Sequence, residues 1–502
     1  MLATGDSGRV REMNARGARA AGRYVLYWMI AARRTRWNHA LERAVAWARE
    51  LGKPLLVFEP LRAGHRWANA RSHAFVMDGM AENRRRCERA GVGYLGYVEP
   101  RAGDGKGLLE RLARDACCVV TDDWPSYFLP RMVRAAAGRI GVRLEAVDSC
   151  GLLPMRAAPR VFPSARGFRR YAHDHVTRHE LELPAEDPLA RAKLAACAPL
   201  AADVAARWPG ATSLAQVDLD HGVAPVAARG GERAGRAALD RFLATGVDRY
   251  HDERNNLEDD PSSGLSPYLH FGHVSAYEIA HAVLERCDWR PDRLTPAAAG
   301  AREGYWGLPP GPEAFLDQLL TWRELGFNMA ALNPDLHDAY DSLPAWAQAT
   351  LERHAGDPRP FVYTEAELES AATHDPLWNA AQRQLVAEGT IHNYLRMVWA
   401  KKILEWSPSP RQALETLVEL NNRFALDGRD PNSYSGIFWT LGRYDRPWFP
   451  ERPVFGCVRY MSTANTARKL RTGAYLARYG ETPAQGRLPG LEAAACRHAA
   501  PR

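Results

Sequence analysis

Residues 24–30 read YVLYWMI, a run of seven apolar residues with no alternation of polar and apolar positions. A short run of this kind predicts a strand that is buried on both faces of a sheet. A helical pattern follows from Asn38 and ends at Gly52, a residue suited to a left-handed C-cap. The order of a strand and then a helix predicts the first unit of an α/β fold.

The same alternation continues toward the C-terminus. Strand-length apolar runs, separated by helical patterns, are PLLVFEP at residues 54–60, VGYLGYV at 92–98, ACCVVTDD at 116–123 and VRLEAVDS at 142–149. Such a series is typical of a parallel sheet with helices on both faces. We therefore predict a Rossmann-like α/β domain over residues 21–152. The string GVGYLG, residues 91–96, matches GxGxxG but follows a helix and overlaps a strand, which argues against a phosphate loop.

The pattern changes after residue 152. Residues 153–225 are rich in Pro and Ala and predict a connector with one or two helices, whereas residues 226–480 show only helical periodicity and predict an all-α domain. Residues 1–20 and 481–502 predict disordered tails. Two domains are the natural expectation for 502 residues.

Composition restricts the class of protein. A net charge of +7 and a pI near 9.0 are compatible with an acidic partner such as nucleic acid. The eight cysteines include no CxxC pair, which favours reduced thiols over a disulfide framework or a zinc site. We read no export signal at the N-terminus and no bilayer-spanning run, so we expect a cytoplasmic protein. His173, His175 and His179 could bind a metal, but no second ligand cluster accompanies them, so we predict no metal site.

Three tryptophans, Trp378, Trp399 and Trp406, lie within THDPLWNAAQRQLVAEGTIHNYLRMVWAKKILEW, residues 373–406. Trp399 and Trp406 are seven residues apart, so on a helix they share a face and their rings can approach each other. A preceding helix could bring Trp378 alongside them. Ordinary core packing is one explanation for such a group.

Three strings point to another explanation. They are HNYLRMVWAKKILEW at residues 392–406, LDGRDPNSYSGIFW at 426–439 and LSPYLHFGHVSAYEI at 265–279. Together they resemble the class II cyclobutane pyrimidine dimer photolyases of the cryptochrome/photolyase family, and the resemblance covers about residues 24–475. It implies that excited reduced FAD, bound by the helical domain, splits pyrimidine dimers in DNA by electron transfer. It also implies that Trp378, Trp399 and Trp406 pass electrons to the flavin.

The resemblance leaves one alternative function open and also implies binding partners. A cryptochrome-like blue-light receptor would use the same flavin and tryptophans without repairing DNA. For a photolyase we expect a monomer that binds double-stranded DNA containing pyrimidine dimers. An antenna chromophore, either a deazaflavin or a folate, stays open.

Several residues match the flavin site of the family. A dinucleotide needs backbone N–H groups and hydroxyls for its phosphates, although a loop of this composition can simply cap a helix. The matching phosphate loop comprises Ser262, Ser263, Gly264, Leu265 and Ser266, with Tyr250 upstream. The ring site is expected to contain Asp430 and Arg396 paired with Asp427, because a buried arginine requires a carboxylate. Asn421 resembles the asparagine placed near the flavin N5, with Asn422 and Asn432 as rivals.

Other residues match the DNA side. Trp322 and Trp439 resemble the tryptophans that flank an extruded dimer, and Met397 falls where the family packs a methionine beneath it. Arg254 and Asn255 match positions near the lesion, and Arg254 is expected to pair with Asp445. Residues 441–480 carry an excess of arginines interleaved with aromatic residues, which fits a DNA-facing surface or a solvated basic face. The members of interest here are Arg443, Arg446, Trp448, Arg452 and Arg459.

Three positions depart from the family pattern. Gln318 stands where the family has a carboxylate against the flavin and the dimer; an amide can form a hydrogen bond there but carries no charge. The neighbouring Asp317 could compensate. Val398 replaces a tyrosine that forms a side branch of the electron route. The string AARRTRWNHAL, residues 31–41, replaces a more acidic one and argues against an antenna pocket.

Overall fold

The computed structural model describes residues 8–180, 183–190 and 192–480, with the side chains of all of these except 177–180. One six-stranded sheet has the order β1-β6-β5-β2-β3-β4. Its strands are β1 Val10–Glu12, β2 Tyr24–Trp28, β3 Leu55–Leu61, β4 Gly93–Val98, β5 Ala116–Asp122 and β6 Arg143–Val147. Helices α1 His39–Leu51, α2 Ala70–Arg89, α3 Leu108–Asp115 and α4 Leu129–Ala137 connect strands β2 to β6. An α/β domain followed by a helical region confirms the predicted fold class.

Strands β2 to β6 are parallel, as predicted, and β2 and β5 at the centre are buried along their whole length. Strand β1 instead pairs antiparallel with β6, with Val10 opposite Val147. The sheet is therefore mixed, and the disordered tail predicted for residues 1–20 is corrected at residues 10–12. The error has a physical cause: three residues, two of them charged, carry no apolar period. Residues 1–7 and the predicted tail at 481–502 lie outside the described residues.

Helix α1 has the ends that the sequence predicts. The side chain of Asn38 accepts a hydrogen bond from the backbone N–H of Leu41, and Gly52 adopts a left-handed conformation with φ 62°. Its buried face packs onto the sheet at β2 and β5. The helix thus fixes one face of the α/β domain.

The remaining regular elements are helical. They are α5 Ala165–Glu180, α6 Ala202–Arg207, α7 Glu232–Thr245, α8 Tyr250–Glu253, α9 Ser266–His270, α10 Ala276–Arg286, α11 Pro310–Leu316, α12 Arg323–Leu332, α13 Ala345–Arg353, α14 Glu365–Glu369, α15 Pro376–Glu388, α16 Asn393–Trp406, α17 Pro410–Phe424, α18 Pro431–Thr440, α19 Thr463–Lys469 and α20 Gly473–Tyr479. A π-helical segment, Asp317–Trp322, joins α11 to α12. Short 3₁₀ turns occupy Leu214–Gln216, Pro291–Arg293, Pro296–Ala298 and Tyr340–Ser342.

A buried arginine joins the two regions. Arg71, in the first turn of α2, donates hydrogen bonds to the carbonyl oxygens of Leu385 on α15 at 3.2 Å and of Phe424 on α17 at 2.6 Å. These carbonyls belong to the last turns of their helices; that of Leu385 also accepts the backbone N–H of the C-cap Gly389 at 3.0 Å. Burial lowers the pKa of Arg71 to about 10, so the side chain stays charged at neutral pH. The α/β domain thereby fixes the helices that frame the tryptophan cluster.

Candidate functional site

The three tryptophans form one continuous stack across two helices. Trp378, on α15, lies parallel to Trp399, on α16, with ring centroids 6.4 Å apart. Its other neighbour is Trp406, at the end of α16, with centroids 5.5 Å apart and rings at 69°. Trp378 is therefore the middle ring of the series, between Trp399 and Trp406. Two helical turns separate Trp399 from Trp406, so the ring of a second helix bridges them.

The hydrogen-bond partners of Trp378 and Trp399 in this stack are neutral. All three rings are at least 98% buried. The indole N–H of Trp378 donates to the carbonyl oxygen of Trp399 at 3.0 Å, and the indole N–H of Trp399 donates to Oε1 of Gln382 at 2.9 Å. Gln382 was not predicted, although it lies four residues after Trp378 and therefore on the same face of α15.

Arg396 and Asp427 form the ion pair that the sequence predicts. Two parallel hydrogen bonds of 3.0 and 2.9 Å join the guanidinium to the carboxylate. Burial would raise the pKa of Asp427, but the charge of Arg396, together with hydrogen bonds from Arg396 and Ser266, holds it below its usual value. Arg396 lies three residues before Trp399 on α16, so the pair and the nearest ring of the stack share one helix face.

The loop before α9 contributes hydroxyl and amide groups next to this pair. Ser262, Gly264 and Ser266 are exposed, and Gly264 has φ +65°, a conformation that favours glycine. Leu265 is buried and anchors the loop, and its backbone N–H binds the Ser263 hydroxyl. The hydrogen bond from Ser266 to Asp427 links the loop to the ion pair.

Tyr250 and Asp430 extend the same region. Tyr250, at the start of α8, packs its ring against Phe315, and burial raises its pKa to about 12. Asp430 caps α18 through the backbone N–H of Asn432 at 2.8 Å and accepts a hydrogen bond from His270 of α9 at 3.3 Å. Helix α9 therefore contacts both Asp427 and Asp430.

The structure separates the three candidate asparagines. Asn422 is engaged locally, because its side chain accepts from the backbone N–H of Arg429 and donates to Tyr434. Asn432 is exposed in the first turn of α18. Asn421 is buried, and its Nδ2 donates to Ser433 at 2.9 Å and to Asn422 at 3.1 Å. Of the three candidates for the position near the flavin, Asn421 is the one that is buried and whose side chain is not used to close a local turn, as that of Asn422 is.

Trp322, Trp439 and Met397 are half-buried, so each presents an open surface. Trp322 ends the π-helical segment, a rare conformation that often marks functional sites. Trp439 lies in the last turn of α18, which packs closely against α12. At the crossing, Gly326 approaches Pro431 so closely that a Cβ atom would lie 2.6 Å from its carbonyl oxygen. Only glycine fits there, and the close approach sets the distance between the helices that carry the two tryptophans.

Asp317, the residue before Gln318, is already paired. Its carboxylate accepts two hydrogen bonds of 2.6 and 3.0 Å from Arg169 of α5. Compensation by Asp317 for the charge that Gln318 lacks stays a prediction.

Asp445 organises the basic segment, with a different partner from the one predicted. Its carboxylate binds Arg459 at 2.8 and 3.3 Å and the indole N–H of Trp448 at 3.2 Å. Arg254 instead lies over the ring of Tyr250, at 5.7 Å. The predicted pairing of Arg254 with Asp445 is thus corrected. Asp445 pairs with Arg459, which lies fourteen residues later on the same segment, and not with Arg254, which follows α8.

The arginines of this segment divide into two groups. Arg446 and Arg452 are exposed and lie over Trp448 and Tyr460, with Cζ 4.2 and 5.0 Å from the ring centroids. Arg443 is only 4% exposed and packs over Phe438, so it is removed from the predicted DNA-facing set. Asn255 is exposed at the end of α8.

A cavity of about 810 Å³, counting its open mouth, lies where the α/β domain meets the helical region. Its lining combines cations, aromatic rings and histidines, including Arg33, Arg62, His65, His73, Trp124, Tyr127, Phe128 and Arg429. Burial lowers the pKa of His65 to about 3 and that of His73 to about 4, so both are neutral at pH 7. Ala31 and Arg33, from the string that argued against an antenna pocket, are among the lining residues of this cavity.

Within residues 8–180, 183–190 and 192–480, no group of three or more His, Cys, Asp or Glu side chains is placed to hold a metal ion; the side chain of His179 is not among those described. No helix in the same ranges has the length and apolar character needed to cross a membrane.

Comparisons with known proteins identify relatives over nearly the whole chain. Deoxyribodipyrimidine photo-lyase of Methanothermobacter thermautotrophicus is 34% identical over 473 residues, which cover 94% of this chain and 97% of the relative. The rice protein of the same name is 34% identical over 93% of this chain and 89% of its own length. That of Potorous tridactylus is 34% identical over 89% and 79%. A solved class III photolyase from Agrobacterium tumefaciens has a similar fold, with a TM-score of 0.64, 17% identity and coverage of 91% and 86%. No family model matches the sequence.

Proposed function

Because this chain belongs to the deoxyribodipyrimidine photo-lyase family, we propose that it repairs cyclobutane pyrimidine dimers in double-stranded DNA with blue light. The observation that carries the proposal is the coexistence of two separate tryptophan groups. One is the buried stack beside the Arg396–Asp427 pair, and the other is the half-buried pair Trp322 and Trp439 beside an arginine-rich segment. The motifs quoted above favour class II within the family.

Family membership implies a flavin, and the residues beside the stack fit FAD. Nε of Arg396 is buried and has no hydrogen-bond partner in the described part of the chain, whereas its two other nitrogens bind Asp427. A carbonyl or ring nitrogen of an isoalloxazine is an acceptor that would satisfy it. Ser262, Ser263 and Ser266 would hold the phosphates, with Tyr250 nearby. When bound, the flavin supplies light-driven one-electron chemistry.

The residues of this chain then have distinct tasks. Arg396 places a positive charge, partly compensated by Asp427, beside the ring, which favours an anionic form of a bound group. Asp430, Asn421 and Gln318 supply hydrogen-bonding groups around it. Trp399, Trp378 and Trp406 provide a path of contacting rings from the side of Arg396 to the far end of α16.

On the DNA side, Trp322 and Trp439 would offer flat apolar surfaces to extruded bases, and the half-buried Met397 would pack beneath them. Extruding a base requires stacking surfaces and cations for the displaced phosphates. Arg254, Asn255, Arg446, Arg452 and Arg459 supply the cations and a hydrogen-bonding amide. Asp445 and Trp448 hold Arg459 in place.

Repair is favoured over light sensing for a specific reason. The buried tryptophan stack would serve either function, so it does not discriminate between them. The half-buried tryptophans and the ordered Asp445–Arg459–Trp448 cluster have no use in a receptor that leaves DNA unrepaired. We expect the protein to act as a cytoplasmic monomer.

The test is a repair assay on the purified protein loaded with FAD and chemically reduced. A duplex with one thymine dimer should lose the dimer under blue light and keep it in the dark. Protein without flavin absorbance that also fails to take up added FAD would contradict the cofactor. Flavin-loaded, photoreducible protein that leaves dimers intact in light would instead favour the light receptor.

We propose a second ligand for the cavity between the domains: an antenna chromophore that is flat, aromatic and anionic. Arginine side chains would offset its charge, and Trp124, Tyr127 and Phe128 would stack on its ring. A deazaflavin or a folate has this chemistry. Titration of flavin-loaded protein with each compound should give transfer of excitation to the flavin for one of them; Arg33→Ala should weaken its binding.

A further inference from the structure

Lys401 is a fully buried lysine on α16 that faces the DNA-side tryptophan. Its side chain is 0% exposed. Nζ donates a hydrogen bond of 2.6 Å to the carbonyl oxygen of Thr440, the last residue of α18. The same atom lies 4.9 Å from the ring centroid of Trp439, within the range of a cation–π contact. Burying an ammonium group is costly unless it gains such partners.

Two charged side chains influence this ammonium from the segment that follows α18. They are the carboxylate of Asp445 and the guanidinium of Arg459. Helix α18 contributes the Thr440 carbonyl, and on α16 itself Lys402 pairs with Glu405 at 2.8 Å. Arg459 also approaches Trp439, with Cζ 5.5 Å from its ring centroid. Two cations therefore contact one indole.

We propose that Lys401 is a positioning residue for lesion recognition, which holds Trp439 in the orientation that stacks on an extruded base and never touches DNA itself. This inference rests on the proposed function, because it assigns a role behind the lesion-binding surface. The ammonium contacts two groups of the same helical turn. Its hydrogen bond fixes the end of α18, and its charge attracts the indole face of Trp439.

The chain supplies a matched control. Lys402 is the next residue on the same helix, and its Nζ lies 5.4 Å from the ring centroid of Trp406, in the buried stack. Adjacent lysines thus each contact one tryptophan group. Lys401→Met and Lys402→Met each remove one buried ammonium and keep most of the apolar stem, but the first also loses the hydrogen bond to Thr440 and the second the ion pair with Glu405.

The experiment measures dark binding to a thymine-dimer duplex and to the same duplex undamaged. Lys401→Met should lower the ratio of the two affinities by about tenfold, the effect of losing a desolvated cation–π contact and its hydrogen bond. Lys402→Met should change the ratio by less than about twofold. Photoreduction and flavin content should match wild type in Lys401→Met, because the buried stack is untouched.

A pH profile distinguishes positioning from simple structural support. Burial lowers the pKa of Lys401 to about 7; Asp445 opposes this shift and Arg459 adds to it. Since the pKa is depressed, the ammonium is present below about pH 7 and is lost above it. The wild-type affinity ratio should therefore fall from about pH 6 to about pH 8.5, whereas the ratio for Lys401→Met should stay flat.

The outcomes separate the inference from the proposed function. Wild type with no preference for the dimer at any pH would overturn the function. Wild type with a preference that neither pH nor Lys401→Met changes would overturn the role of Lys401 alone. If Lys401→Met fails to fold or loses flavin, Lys401→Gln takes its place, because it removes the charge and keeps a hydrogen-bond donor: a lower affinity ratio supports the inference, and an unchanged ratio contradicts it.

Discussion

Two rings of the buried stack, Trp378 and Trp399, and two rings on the DNA side, Trp439 and Trp448, have different electrostatic surroundings. Trp378 and Trp399 donate their indole N–H groups to neutral acceptors. Trp439 instead contacts the cations of Lys401 and Arg459, and Trp448 contacts Arg446 and Arg459. A nearby positive charge opposes removal of an electron from a ring, whereas neutral surroundings do not.

This difference in nearby charge suggests why some tryptophans of the protein would serve electron transfer and others would serve DNA binding. Rings in neutral surroundings are easier to oxidise and suit electron transfer. Rings held by cations are harder to oxidise, and those cations also attract phosphates. Trp406 is an informative intermediate case, because the Lys402 ammonium beside it is compensated by Glu405 at 2.8 Å.

The largest effect is expected for the Arg396–Asp427 ion pair, because photoreduction and repair both depend on the flavin that it would hold. Asp427→Ala leaves the Arg396 charge unpaired, and breaking a buried ion pair typically costs about 3–5 kcal/mol, here reduced because Arg396 is partly exposed. We expect loss of most bound flavin, measured by absorbance after gel filtration, and loss of photoreduction and repair together. Retention of flavin with only one activity impaired would contradict a shared site.

The next largest effect should be confined to the stack. Trp378→Phe removes the middle ring, and photoreduction of the oxidised flavin should slow by about tenfold or more, because Trp399 and Trp406 are two turns, roughly 10 Å, apart along α16. Repair by chemically reduced protein should match wild type. An equal loss of both activities would indicate a packing role.

On the DNA side we expect the reverse pattern, in which DNA binding is impaired and photoreduction is not. Trp439→Ala should weaken dark binding to a dimer-containing duplex by about 5-fold to 100-fold, since stacking of a base on an aromatic ring is worth about 1–3 kcal/mol. Photoreduction should stay at the wild-type rate. If affinity for undamaged DNA fell by the same factor, Trp439 would not be reading the lesion.

The smallest effect is expected at Gln318. Asp317 is already paired with Arg169, so the variant addresses the Gln318 amide alone. Gln318→Glu should change dimer affinity or repair yield by no more than about twofold to tenfold, the range for one hydrogen bond. Wild type that is inert toward dimers, with repair restored in Gln318→Glu, would favour the light-receptor function.

The sequence predicted those parts of the fold that have a strong period or a local cap. Strands β2 to β6 and the ends of α1 followed from apolar runs, Asn38 and Gly52. Strand β1 did not, because three mostly polar residues gain their stability from pairing with β6, more than 130 residues away.

At the site, the motifs predicted which residues are present better than they predicted which residues contact each other. The Arg396–Asp427 pair was predicted and is present. The partner of Asp445, the place of Trp378 in the stack and the burial of Arg443 depend on how helices pack, which spacing does not reveal. Lys401 had no signal in the sequence, since a lysine on a helix is usually exposed.

The most direct test of the comparison is the identity of the tryptophan oxidised after a light flash. FAD-loaded, oxidised protein should give a transient tryptophan radical signal in wild type and in Trp439→Phe. In Trp399→Phe the signal should be lost, while repair by chemically reduced protein stays nearly intact. A radical that persists in Trp399→Phe and disappears in Trp439→Phe would contradict the division of the tryptophans into an electron path and a lesion-binding surface.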